Sequence, residues 1–221
     1  MEPAAYLFDM DGLLLDSERL ARESFVHVAQ ANGLPGDDAA QFFLTLIGTS
    51  SKEGTRRTLA YLPEHLDVVA FEDQWRDHYE AAIKRGVPVR PTVLEALERL
   101  SGQGARMAVV TSTRGERARR KLQIAGIFDH FEFVLGGDEV SANKPDPAPY
   151  LEAAARINLP AAQCAAFEDS DLGTAAAVAS GARVVQVPDL RPEGVPLPDL
   201  GQLIAASLAE AVALVDMKVG A

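Results

Sequence analysis

The stretch that most constrains this chain lies near its beginning. A short apolar run, Ala5-Tyr6-Leu7-Phe8, leads straight into Asp9-Met10-Asp11-Gly12. An apolar run of that length reads as a strand covered on both faces, which is the habit of parallel sheets. Side chains at i and i+2 of an extended chain point the same way and lie roughly 6.6 Å apart. Asp9 and Asp11 therefore flank one small space at the strand's carboxyl end, where open α/β sheets bind ligands. Gly12 permits an abrupt turn directly afterwards.

An Asp-Gly pair alone reads as a turn. Here the placement repeats: Ala165-Ala166-Phe167 runs into Glu168-Asp169-Ser170. If the two strands are neighbours, four carboxylates converge. Burying even one unpaired ion costs several kcal/mol. A hard divalent cation with oxygen ligands relieves that repulsion, and Mg²⁺ suits carboxylates, waters and a phosphate oxygen. A calcium EF-hand is excluded, because Leu13 and Leu14 stand where a ligand and an obligatory Gly belong.

Further apolar runs at Met107–Val110, Phe131–Leu135 and Val184–Val187 read as strands of the same sheet. Helical patterns alternate with them. Thr92 and Glu95 are spaced as a capping box before the stripe Leu94, Leu97 and Leu100. Glu116–Ala125 ends at Gly126, and Leu172–Ser180 ends at Gly181. Pro147–Ile157 begins with Asp146 as N-cap. Leu203–Val215 is expected as a last helix after an irregular Pro- and Gly-rich tail from Pro188 to Pro198. The rhythm predicts an α/β fold with a doubly wound, Rossmann-like parallel sheet.

Residues 16–89 break that rhythm. They hold no convincing strand and read as helices at Ser17–Asn32, Asp37–Leu46, Ser51–Tyr61 and Val68–Lys84. The expected organisation is a core of residues 1–15 and 90–221 with a small all-helical cap, 16–89, inserted after the first strand. Its hinges are expected near Leu15-Asp16 and Gly86–Pro91, and a lid over the ligand crevice is the expected role.

Charge and composition remove several classes. The formal net charge is −11, which disfavours nucleic-acid backbones and anionic membranes. A small anionic substrate then needs a local cation. The single cysteine, Cys164, excludes a disulfide framework and a cysteine zinc site. No apolar stretch is long enough to span a bilayer, and Met1–Ala5 lacks a signal-peptide pattern, so the expected compartment is the cytoplasm.

Two segments supply such a cation and polar donors. Thr111-Ser112-Thr113 ends a strand in hydroxyls, suited to phosphate oxygens near a helix N-terminus. Asn143-Lys144-Pro145-Asp146-Pro147 places a lysine between prolines, a point charge that neutralises a phosphate and a carboxylate together.

In order, these segments resemble the four motifs of the haloacid dehalogenase superfamily over about residues 5 to 187: Asp9-Met10-Asp11-Gly12, Thr111, Lys144-Pro145 and Glu168-Asp169-Ser170. The helical insert resembles the cap of its β-phosphoglucomutase-like branch. The run Asp9 to Leu20 is similar to pseudouridine-5′-phosphatase and sugar-phosphate phosphatase members.

The resemblance implies Asp9 as nucleophile and Asp11 as general acid and base. It implies Mg²⁺ held by Asp9, the Asp11 backbone carbonyl, Asp169 and Glu168, directly or through an intermediary. Thr111, Ser112 and Lys144 would hold the phosphoryl oxygens. Gly48, Thr49, Ser50 and Lys52 of the cap loop, with Arg114, would read the leaving group.

The implied activity is a Mg²⁺-dependent phosphatase of a small phosphorylated metabolite, expected as a monomer or weak homodimer. A phosphosugar mutase is the alternative, and a non-catalytic phosphometabolite-binding protein is a further one. An acid at Asp11 favours phosphate esters over carbon–halogen bonds. Mutase members carry a histidine about where this chain has Ala21 and an arginine about where it has Ser51. Thr92 stands where the family usually has Gly, and Asn143 where Gly commonly precedes the lysine, a change a left-handed backbone at Asn tolerates. His27, His65, His78 and His130 show no metal spacing, and Trp75 and Tyr79 read as cap core.

Overall fold

The computed structural model describes residues 2–47, 49, 51–192 and 194–216, without the side chain of Ser51. The chain divides into two compact units: 1–16, 88–189 and 196–221 form one, and 17–87 with 190–195 the other.

The first unit is built on β1 (Ala5–Phe8), whose four residues are all buried. Alternation sends Ala5 and Leu7 to one face and Tyr6 and Phe8 to the other, so burial of all four requires cover on both sides. After the second unit's helices α1 (Ser17–Ala31), α2 (Gly36–Leu44), α3 (Ser51–Tyr61) and α4 (Val68–Arg85), the chain returns through α5 (Val93–Gly102) to β2 (Met107–Val110). It continues with α6 (Gly115–Ile124), β3 (Phe133–Leu135), α7 (Ala148–Arg156), β4 (Cys164–Glu168), α8 (Asp171–Ala179) and β5 (Arg183–Gln186). A short edge strand, β6 (Leu203–Ile204), precedes α9 (Leu208–Asp216).

The sheet order is β3-β2-β1-β4-β5-β6, with every pairing parallel. This is the doubly wound arrangement, and β1 lies at the point where strand order reverses. One face packs Leu7, Val110, Ala166 and Leu135 against Tyr150, Ala153 and Ala176. On the other, Phe8 stacks on Phe167 at 5.0 Å and meets Phe131 edge-on. Tyr6 donates its hydroxyl to Asp216 at 2.8 Å, fastening the end of α9 to the sheet.

The second unit is a helical cluster around Phe25, which is fully buried. Phe42, Phe43, Tyr61, Phe71 and Trp75 surround that ring, and Trp75 also donates to the Ala21 carbonyl at 2.9 Å. Asp67 caps α4 by accepting from the Ala70 amide at 2.8 Å. No described helix is long and apolar enough to cross a membrane.

Three local expectations are corrected. Thr92 does not cap α5: its backbone is left-handed, with φ 66, and its hydroxyl instead accepts from the Ala209 amide in the first turn of α9 at 3.3 Å. That explains why glycine suits the position, since a β-branched side chain is strained there. Asn143 does not adopt the left-handed region; among the described non-glycine residues, Thr92 and Asn158 do. The last helix begins at Leu208, because Leu203 and Ile204 pair with β5 through Val185 and Gln186.

Thr92→Gly relieves left-handed strain worth about 1–2 kcal/mol, against roughly 0.5–1 kcal/mol of glycine chain entropy. Thr92→Gly and Thr92→Val both lose the hydroxyl contact to the Ala209 amide, so comparing the two isolates the strain, and Thr92→Gly should be the more stable of the pair by urea denaturation. Thr92→Val, which keeps the branched strain, should gain nothing.

Candidate active site

Strand order decides which side chains meet. β1 is flanked by β2 and β4, in registers that pair Phe8 with Val109 and with Phe167. The Asp9 amide continues the ladder to the Phe167 carbonyl at 3.0 Å. The carboxyl ends of the three strands thus deliver Asp9, Thr111 and Glu168-Asp169 to one edge of the sheet.

Three carboxylates converge there. Asp9, Glu168 and Asp169 each offer an oxygen within 4.8 Å of the others, and Asp9 and Glu168 are buried. Two glycines make the approach possible. At Gly12, where φ is +88, a Cβ would overlap the Asp169 carboxylate; at Gly173 it would overlap that of Glu168.

One ammonium serves this cluster. Lys144 Nζ donates to Asp9 Oδ1 at 2.6 Å, Glu168 Oε1 at 2.6 Å and the Val110 carbonyl at 2.9 Å. Its loop is fixed on both sides. Gly136 donates its amide to Glu139, Asp146 to the Asn143 carbonyl, and Ala148, the first residue of α7, to the Asp146 carboxylate two residues before it. Glu168 also accepts from the fully buried Tyr150 hydroxyl and, at 3.3 Å, from Ser170 Oγ.

Asp11 has a different environment. Its Oδ1 takes a hydrogen bond from Lys121 Nζ at 2.7 Å and its Oδ2 one from Thr113 Oγ1 at 2.7 Å. The Asp11 carboxylate is not part of the three-carboxylate cluster.

The family model of haloacid dehalogenase-like hydrolases matches residues 6–187. The chain belongs to this family. It is 35% identical over 201 residues to protein CbbY of Rhodobacter capsulatus, covering 85% of this chain and 86% of that one. It is 29% identical over 177 residues to a phosphorylated carbohydrates phosphatase of Thermotoga maritima, covering 80% and 81%. A haloacid dehalogenase family hydrolase of Deinococcus radiodurans, solved with bound phosphate and sodium, superposes with a TM-score of 0.77 at 27% identity, covering 100% and 99%. β-Phosphoglucomutase-like proteins are also among its structural neighbours. The chain is thus an enzyme of the haloacid dehalogenase-like hydrolases, with relatives named as phosphatases.

The remaining expected residues of this hydrolase are placed as follows. Thr111 is buried, and its Oγ1 accepts from the Thr113 amide at 3.1 Å. Ser112 is exposed beside it. Arg114 is largely exposed and pairs with Asp138 at 3.4 Å. Thr49 and Lys52 belong to the helical unit, where Thr49 Oγ1 donates to the Leu46 carbonyl at 2.7 Å and Lys52 is exposed on α3. Gly48 and Ser50 lie outside the described residues.

Lys121, Thr113 and Tyr150 were not singled out from the sequence as site residues. A signal existed for Lys121: it falls in register with Gly115, Ala118 and Leu122 on the buried face of α6, where a lysine needs a partner. Thr113 ends the hydroxyl run. Tyr150 looks like core, and only the tertiary fold shows its hydroxyl against Glu168.

The donor set fits a divalent cation. Three carboxylates offer oxygens within 4.8 Å of one another, and a hard cation with oxygen ligands offsets their mutual repulsion. Burial pushes the Asp9 carboxyl up to about 7; Lys144 opposes that shift and Glu168 adds to it. Burial also opposes charge on Lys144, but Asp9 and Glu168 hold its ammonium above its usual range.

The folded, metal-free protein keeps a proton on Asp9 that the unfolded chain releases near pH ~4. The folded state then binds more protons than the unfolded one, so the Asp9 contribution to stability falls as pH rises through that value towards 7. In chelator-treated samples, wild type should lose stability relative to Asp9→Asn as pH climbs across this window. Parallel urea-denaturation curves for the two proteins would contradict the assignment.

Proposed function

We propose that this hydrolase is a Mg²⁺-dependent phosphatase of small phosphomonoesters, of the sugar-phosphate or nucleoside-phosphate kind. The observation that carries the reading is the Asp9 carboxylate held by Lys144 beside Glu168 and Asp169, with Asp11 two residues on in a separate environment. The name of the Thermotoga relative, a phosphorylated carbohydrates phosphatase, supports the substrate class.

In this reading an Asp9 carboxylate oxygen attacks phosphorus. The bond from phosphorus to the leaving oxygen breaks, and Asp11 gives that oxygen its proton. Water then attacks the aspartyl-phosphate, Asp11 takes the water's proton, and the bond between Asp9 and phosphorus breaks to release phosphate. Thr111, the Ser112 amide and Lys144 bind the phosphoryl oxygens, where negative charge is spread in the transition state. Mg²⁺ on Asp9, Asp169, Glu168 and the Asp11 carbonyl would supply charge neutralisation to the phosphoryl group. The helical unit acts as the cap, with Gly48, Thr49, Ser50, Lys52 and Arg114 selecting the leaving group.

A phosphosugar mutase is the competing reading, favoured by the β-phosphoglucomutase-like neighbours. Ala21 and Ser51, where mutase members carry histidine and arginine, argue for hydrolysis. A phosphate-release screen over sugar, nucleoside and small-acid phosphates should give Mg²⁺-dependent free phosphate from wild type. Asp9→Asn should lose activity by at least about a thousandfold, in keeping with loss of the nucleophile. Isomerised sugar phosphate without free phosphate would replace this reading with the mutase, and an active Asp9→Asn would remove the nucleophile.

A further inference from the structure

We infer that Lys121 and Thr113 form a two-point clamp that aims the Asp11 carboxylate at the leaving oxygen. The inference rests on the proposed phosphatase chemistry, and it makes Lys121 a positioning residue. The observation is the pairing itself: one carboxylate oxygen takes the Lys121 ammonium and the other the Thr113 hydroxyl, each at 2.7 Å.

The geometry is directional. A single contact would leave the carboxylate free to swing about its side-chain torsions. Contacts on both oxygens from different elements, one from the body of α6 and one from the turn after β2, fix the plane of the group. The clamp also holds the carboxylate apart from the cluster of Asp9, Glu168 and Asp169. Proton transfer needs an acid within hydrogen-bond reach of the leaving oxygen, so fixing this orientation matters to the rate.

Lys121 is costly to keep for any lesser purpose. Its side chain is only 8% exposed, in the row of α6 that otherwise packs Gly115, Ala118 and Leu122. A hydrophobic residue there would pack without desolvating a charge. A purely structural ion pair is the rival explanation, and it predicts the same loss of rate for every substrate. A clamp on a general acid predicts a loss that depends on the leaving group.

The test compares kcat/KM for an alkyl phosphomonoester, whose alkoxide needs a proton, with p-nitrophenyl phosphate, whose leaving group needs little help. Lys121→Met should lower kcat/KM on the alkyl ester by about 100-fold, the usual scale of general acid catalysis, and on the aryl ester by less than about tenfold. The loss should sit in kcat, with KM within a few-fold of wild type. Thr113→Val should show a smaller loss of the same sense, and it serves as the second probe if Lys121→Met folds poorly. Equal losses on the two esters, or none, overturn the clamp. If wild type releases no phosphate, or Asp9→Asn stays active, the phosphatase reading fails instead.

Discussion

The structure is organised around a buried excess of negative charge. Asp9, Glu168 and Asp169 crowd the carboxyl ends of two adjacent parallel strands, and Lys144 is the ammonium bonded to both Asp9 and Glu168. Such crowding is unstable without a cation and without room. Lys144 supplies part of the charge from a loop held at both ends. Gly12 and Gly173 supply the room, since a Cβ at either would strike a carboxylate. The Tyr150 hydroxyl, donated from α7, satisfies the carboxylate that is most deeply enclosed.

Two aspartates in one short motif end in contrasting surroundings. Asp9 sits among carboxylates in a site where burial dominates, and its acidity falls. Asp11 lies beyond that crowd, with a lysine and a hydroxyl on its two oxygens. Extended backbone sends both side chains to the same end of the sheet, and the turn at Gly12 then lets the second lie against α6 and the turn after β2. One strand thereby presents two carboxyl groups suited to separate tasks.

Much of this was legible in the sequence, for a physical reason. Parallel strands covered on both faces must be apolar throughout, so Ala5–Phe8 and Met107–Val110 stand out at their true limits. Acids and hydroxyls directly after such runs mark strand ends, which is why the sequence alone groups Asp9, Thr111, Glu168 and Asp169. Lys144 could be read because prolines flank it. What failed was what depends on distant partners. The spacing of Thr92 and Glu95 fits a capping box, but the chain enters α5 through a left-handed residue. Leu203 and Ile204 carry no strand signal of their own, and they pair because β5 offers an open edge. Lys121 and Tyr150 join the site only through the packing of α6 and α7 on the sheet.

The two chain crossings at 16/17 and 87/88 have one more implication. Leu15 bridges Val89 in antiparallel fashion, and the Asp16 amide bonds the Pro88 carbonyl at 2.8 Å. The strands that leave and rejoin the sheet-bearing unit are thus stapled together before the helical insertion begins. To the sheet, everything between them is a loop whose ends are already closed, so its length carries little further entropic penalty. The insertion can be lengthened, shortened or exchanged for another without shifting any strand register, which makes it the part of the molecule most open to evolutionary revision.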